Sequence, residues 1–227
     1  MFGTVFNVLM IIVGSCIGSV FKKGIKNEYQ EILMNSMGLA AIALGINSIV
    51  QHMPSSKYPV LFIVSLALGA LIGQRFNLEL KFSKIVSRFS KGNLAEGLST
   101  AILLFCIGSL SILGPVEAAL NGNMTYLFAN GMLDFITSIV LASTFGIGIA
   151  FSALVLFCWQ GSIYLIATLI ENSLNTDLMN EISIIGGILI LCSGLSILGI
   201  KKFKTLNLLP ALAVPPLMFL ILFVFNL

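Results

Sequence analysis

The chain has 227 residues, 58% of them hydrophobic and 9% charged, with 12 Lys and Arg against 9 Asp and Glu and a mean hydropathy of +1.06. These values exclude an ordinary water-soluble domain, so the length is better counted in bilayer crossings of about 20 residues each. The net charge of +3 carries no nucleic-acid signal, because no basic patch is interleaved with aromatics.

In chain order, apolar spans are expected near residues 3–21, 36–51, 59–74, 98–114, 132–151, 152–170, 182–200 and 206–225. The first has no basic residue before it and Lys22-Lys23 directly after it, which reads as a retained span with its N-terminus outside. Between the third and fourth spans, Phe82, Ile85, Val86 and Phe89 recur at helical spacing, with Lys81, Lys84, Arg88 and Lys91 on the other positions. That pattern predicts an amphipathic helix in the cytoplasmic interface, within a segment at about 76–92.

The run from Met132 to Ile170 is 39 residues long and holds one charge, Asp134. As a single helix it would measure about 58 Å, against about 30 Å of hydrocarbon, so tilt cannot absorb it. A break near Gly146-Ile147-Gly148 to Ser152 makes two helices. The basic residues favour this split, since eleven of the twelve lie in Lys22–Lys26, Arg75–Lys91 and Lys201–Lys204, with Lys57 the exception. Two helices place all three basic loops on the inner side, which gives an all-α polytopic protein of eight spans with both termini outside. No tail or linker is long enough for a soluble domain, so residues 1–227 read as one membrane domain.

Gly38 and Gly45 are seven apart, as are Gly187 and Gly194, and Leu110-Ser-Ile-Leu-Gly114 matches Leu195-Ser-Ile-Leu-Gly199. In this topology the matching spans run in opposite directions. An inverted repeat of the kind found in secondary transporters is one reading, and chance similarity of Gly-rich helices is the other. The face Gly14-Ser15-Cys16-Ile17-Gly18 can serve a homo-oligomer or packing within the chain.

Several runs carry a resemblance in combination. They are Gly3-Thr4-Val5-Phe6-Asn7, Lys22-Lys23-Gly24, Leu103 to Gly108 with Ser111 to Gly114, and Leu133-Asp134 with Ser138 to Thr144. Gly146-Ile147-Gly148, Gln160-Gly161, Gly186 to Ile190 and Asn207 to Ala211 complete the set. Together they resemble the bacterial YdfK/YqgA-like family, domain of unknown function 554, over nearly the whole chain. The resemblance implies a multi-span protein of the bacterial cytoplasmic (inner) membrane without implying an activity. In the family pattern a Gly-Asp and a Lys precede the Leu-Asp; here Gly122-Asn123 and Asn130 stand in their place, so no role for charge is carried over to that outer loop.

Asp134 is the one carboxylate inside an expected span, and an intramembrane acid costs about 3 kcal/mol on insertion scales. Thr137 and Ser138 lie at i+3 and i+4 from it and Thr144 further along, which makes a polar stripe able to bind Na⁺ or to relay H⁺. The competing reading is an N-cap for the fifth helix. Asn47, Gln160 and Asn207 are further polar candidates, with helix packing as the default role of each. Asn207 gains interest from Pro210, Pro215 and Pro216, which interrupt the last span.

His52 has no metal-ligand partner at usable spacing, and Cys16, Cys106, Cys158 and Cys192 lie singly in apolar segments. No metal site, cofactor or enzymatic motif is expected. The sequence therefore reads as a small-solute secondary transporter, coupled to H⁺ or Na⁺ through Asp134, with its site between the fifth helix and the interrupted eighth. The alternative is a membrane scaffold, sensor or accessory subunit whose polar residues hold helices together.

Overall fold

The computed structural model describes residues 1–21, 26–87, 93–170 and 176–225. The described residues are helical almost throughout, as lipid demands, because only a helix or a closed barrel satisfies its own backbone polar groups there. The helices are α1 (Phe2–Val20), α2 (Asn27–His52), α3 (Leu61–Phe76), α4 (Leu78–Ser87), α5 (Asn93–Ile107) and α6 (Leu110–Leu120). They continue with α7 (Thr125–Phe145), α8 (Ser152–Ile170), α9 (Thr176–Ile197), α10 (Thr205–Leu208) and α11 (Val214–Phe225).

Among the described residues, seven stretches are long and apolar enough to cross a membrane by themselves, and the bent pair α5–α6 makes eight if it crosses as one broken span. The break in that pair was not expected. Thr100–Cys106 and Leu110–Leu120 meet at 42°, and Gly108 and Ser109 accept the first backbone bonds of α6. Pro115 then removes the N–H that would have reached the Ser111 carbonyl. Helix α6 runs to Leu120, beyond the expected end of the fourth span near 114, and it buries Glu117 at 3% exposure. Likewise α7 begins at Thr125 instead of near 132, and α9 at Thr176 instead of near 182, which places Glu181 inside a helix.

The long apolar run divides where expected. Gly146 ends α7 at φ 87°, a conformation natural to glycine, and a 3₁₀ turn over Ile147–Phe151 leads into α8. The last crossing is interrupted as its prolines suggest, with 3₁₀ geometry over Leu209–Ala213 between α10 and α11. The segment expected to form an amphipathic helix is helical over Leu78–Ser87 as α4, with Lys81, Lys84 and Ile85 exposed. The expected positions Arg88, Phe89 and Lys91, like the basic loop at Lys22-Lys23, lie outside the described residues.

The chain forms two compact units, residues 1–37 with 82–172, and residues 38–81 with 173–227. The first holds α1, α5, α6, α7 and α8 around a core of Ile11, Ala101, Phe105, Cys106, Ala142, Ile149, Ala153 and Leu156. The ring of Phe82 tilts against that of Trp159 at its edge.

In the second unit the glycines singled out in sequence face one another. A Cβ on Gly45 would lie 2.7 Å from the Gly187 carbonyl oxygen, and one on Gly194 would lie 2.8 Å from the Gly38 carbonyl oxygen. Their equal spacing thus follows from antiparallel packing of α2 on α9, in which small residues let two backbones touch. The Leu-Ser-Ile-Leu-Gly match has no such meaning. At 110–114 it opens α6, whereas at 195–199 it closes α9, with Gly199 at φ 72°. Gly69 and Gly73 of α3 similarly admit the backbone at Ala211 and Asn207, again antiparallel. Both directions agree with a separate fifth and sixth span.

Candidate functional site

In the first unit α1 and α7 run parallel along a seam of small and polar residues. On α1 the buried set is Gly3, Thr4, Asn7, Ile11, Gly14, Ser15 and Gly18, whose alternating spacing of three and four keeps one stripe facing its partner. Gly3 abuts Leu127, Gly131 lies against Phe6 and Asn7, Gly14 meets Ser138 and Phe135, and Gly18 meets the Ile139 carbonyl. The Gly14-to-Gly18 face is therefore used within the chain, and Cys16 and Ile17 point away from it, exposed.

Asp134 sits in this seam, 5% exposed. It lies more than two turns inside α7, whose N-cap position is Met124, so the capping reading does not hold. One carboxylate oxygen accepts a 2.8 Å hydrogen bond from the Asn130 amide, one turn earlier on the same helix. On α1 the buried Asn7 lies against α7 at Gly131, one turn before Asp134, and neither of its side-chain polar atoms has a hydrogen-bond partner among the described residues. Thr4 Oγ1, one turn before Asn7, is likewise buried without a partner. Cys106 is buried in the core of the same unit near the end of α5, just before the bend into α6.

Gln160 lies on α8, in the same unit. It is fully buried and donates to Ser111 Oγ at 3.3 Å, just past the break, while its own carbonyl oxygen has no partner. Buried polar groups of the first unit thus come from α1, α6, α7 and α8, with Asn7, Ser111, Asp134 and Gln160 among them.

The other expected residues divide. Ser138 is buried in the seam, but its hydroxyl bonds the Phe135 carbonyl at 2.8 Å, its own preceding turn. Thr137 is half-buried, and Thr144 and Asn47 are exposed. Asn207 belongs to the second unit, where its oxygen accepts the Glu79 backbone N–H at 2.9 Å and its NH₂ donates to Gln74 at 3.1 Å. It therefore satisfies an otherwise unpaired first-turn N–H of α4. His52 places Nδ1 2.8 Å from the Ser48 carbonyl, and Lys57 pairs with Asp177 at 3.6 Å.

Sequence reasoning passed over Asn7, Thr4, Asn130, Glu117 and Glu181. Asn7 had a readable signal, since it lies four residues after Gly3 and seven before Gly14 on one helical face. Glu181 is 1% exposed and accepts from Ser56 Oγ at 2.7 Å and from the Tyr58 N–H at 3.0 Å, pinning the loop between α2 and α3.

A family model described as protein of unknown function (DUF554) matches residues 2–220. The chain belongs to the DUF554 family. It is 72% identical over 227 residues to the uncharacterized membrane protein YdfK of Bacillus subtilis (strain 168), covering 100% of this chain and 99% of that protein. It is 28% identical over 221 residues to the uncharacterized protein YqgA of Escherichia coli (strain K12), covering 92% of each. No solved structure matches. DUF554 membership accords with the many apolar helices, and this chain, like YdfK, is a membrane protein.

Proposed function

We propose that this DUF554 protein is a secondary transporter or permease for a small solute in the bacterial cytoplasmic (inner) membrane, with both termini outside. Asp134 is its coupling residue, acting on H⁺ or Na⁺. The observation that carries this reading is a buried carboxylate inside a crossing helix that packs against the bent pair α5–α6. Buried intramembrane acids are costly and cluster on ion and substrate pathways, and broken helices accompany transporter sites. The site belongs to the first unit, with Asp134, Asn130 and Asn7 in the seam of α1 and α7 and Gln160 on α8. No catalytic role is assigned.

The test is uptake into proteoliposomes of pooled small solutes under imposed H⁺ or Na⁺ gradients. Gradient-driven uptake by the wild type that falls to the empty-liposome level in Asp134→Ala supports coupling. Equal uptake by both proteins removes Asp134 from the mechanism.

A second reading, a non-transporting scaffold, is favoured by the bonds of Glu181, Asn207 and Ser48, each of which ties one helix to another element. Absence of uptake for every solute, in a protein that remains folded and membrane-inserted, decides for it.

A further inference from the structure

We propose that Asp134, Asn7 and Thr4 form a binding site for a monovalent metal cation of the sodium class, in the seam between α1 and α7. The proposal deepens the transport reading, from which it takes Asp134 as coupler, and commits it to Na⁺ in place of H⁺.

The seam brings Asn7 to the turn of α7 that precedes Asp134 by backbone contact. A Cβ on Gly131 would lie 2.9 Å from the Phe6 ring and 3.3 Å from Asn7 Cα, so glycine at this position lets α1 approach α7 one turn before Asp134. Asn7 thus faces the turn of α7 that leads into Asp134, and because its Nδ2 is as unpartnered as its Oδ1 among the described residues, nothing prevents the amide from presenting its oxygen there. Thr4 lies three residues earlier on the same face of α1. Asn7 and Thr4 are both 0% exposed, and neither Asn7 Oδ1 nor Thr4 Oγ1 has a partner among the described residues.

Buried oxygens without partners are unfavourable, and the chemistry of these three identifies what would satisfy them. Carboxylate, amide carbonyl and hydroxyl oxygens are the ligands of hard cations. Charge selects the valence. The site has one carboxylate and otherwise neutral ligands, so a single positive charge balances it, whereas a divalent ion would leave a net buried charge. A proton would neutralise Asp134 but, sitting on one oxygen, could serve only one neighbouring acceptor. A metal ion can draw on the carboxylate, Asn7 Oδ1 and Thr4 Oγ1 at once.

The experiment is thermal unfolding of the purified full chain in detergent, with NaCl titrated against choline chloride at constant ionic strength. The wild type is expected to gain stability saturably with Na⁺ and not with choline, as a ligand that binds the folded state requires. Asp134→Asn is expected to abolish the response. Asn7→Ala and the near-isosteric Thr4→Val are each expected to weaken the apparent affinity about tenfold. Thr4→Val keeps the side-chain volume and removes a hydroxyl that makes no hydrogen bond among the described residues, so it is expected to unfold no earlier than wild type without Na⁺ and suffices for the test. A wild type indifferent to Na⁺, or a response unchanged in both variants, overturns the site. Uptake driven by H⁺ and indifferent to Na⁺ overturns the site and leaves the transport reading standing. Na⁺ binding with no uptake of any solute upholds the site and overturns the transport reading.

Discussion

Replacement of Gly45 by alanine tests the antiparallel seam of α2 and α9. The added Cβ would lie 2.7 Å from the Gly187 carbonyl oxygen, 2.7 Å from the Leu191 nitrogen and 3.1 Å from Leu191 Cα. These are backbone atoms, so no side-chain rotation relieves the overlap. Restoring ordinary contacts of about 3.5 Å requires the helices to part by roughly 0.5–1 Å. Overpacking of this kind costs about 1–3 kcal/mol. The separation also stretches the 3.0 Å bond from Ser48 Oγ to the Ser183 carbonyl, an interhelical bond worth about 0.6 kcal/mol. A loss of about 2–3 kcal/mol is therefore expected. The assay is reversible unfolding in mixed micelles with rising dodecyl sulfate, followed by far-ultraviolet circular dichroism. Gly161→Ala is the matched control, since its nearest atom, Met1 Cε, is 3.9 Å away, and its effect should stay within about 0.5 kcal/mol. If Gly45→Ala and Gly161→Ala unfold at the same detergent fraction, the close approach of these two helices is wrong.

Gly146→Ala forces an L-residue to φ 87° and is expected to cost about 1–3 kcal/mol in the same unfolding assay, although no atom crowds the new methyl. Glu181→Ala leaves Ser56 Oγ and the Tyr58 N–H without their acceptor. About 2–3 kcal/mol should be lost, and Glu181→Gln, which keeps an acceptor oxygen, should lose less. Asn207→Ala removes the acceptor for the Glu79 N–H, at about 1 kcal/mol. Hydrogen exchange should rise in the first turn of α4, while Na⁺-dependent stabilisation, which belongs to the first unit, stays as in wild type.

What could be read from sequence was governed by large, one-dimensional signals. Clustered basic residues and an apolar run too long for one crossing predicted both the number of spans and the break at Gly146. The break at Gly108-Ser109 carried no such mark, because a glycine and a serine in a crossing helix ordinarily mean close packing. Helix ends at Leu120, Thr125 and Thr176 were misplaced for a related reason. Glu117 and Glu181 read as loop residues until burial and hydrogen bonding show them within helices. Within the candidate site, Asp134 was legible as an isolated charge. Asn7 was legible only through its phase with Gly3 and Gly14, since a single amide gains a role only when α7, far along the chain, packs against it. Asn47 and Thr144 failed on helical phase: Ser48 and Ser143, each one position away, take the buried faces.

The parallel seam of α1 and α7 has a consequence for biosynthesis. Helix α1 leaves the ribosome well before α7, and the surface that covers Thr4 and Asn7 lies roughly 120 residues later, about 6–24 s at about 5–20 residues per second. During that interval a helix with an amide and a hydroxyl on its flank is held in or beside the bilayer with no partner of its own. The second unit waits longer, because the glycine groove of α3 is filled only by the segment at Asn207 and Ala211. Each half of this protein is therefore closed by a late-arriving helix. Truncations that halt synthesis before Thr125, or before Thr205, should yield inserted but protease-sensitive chains that depend on membrane chaperones for survival.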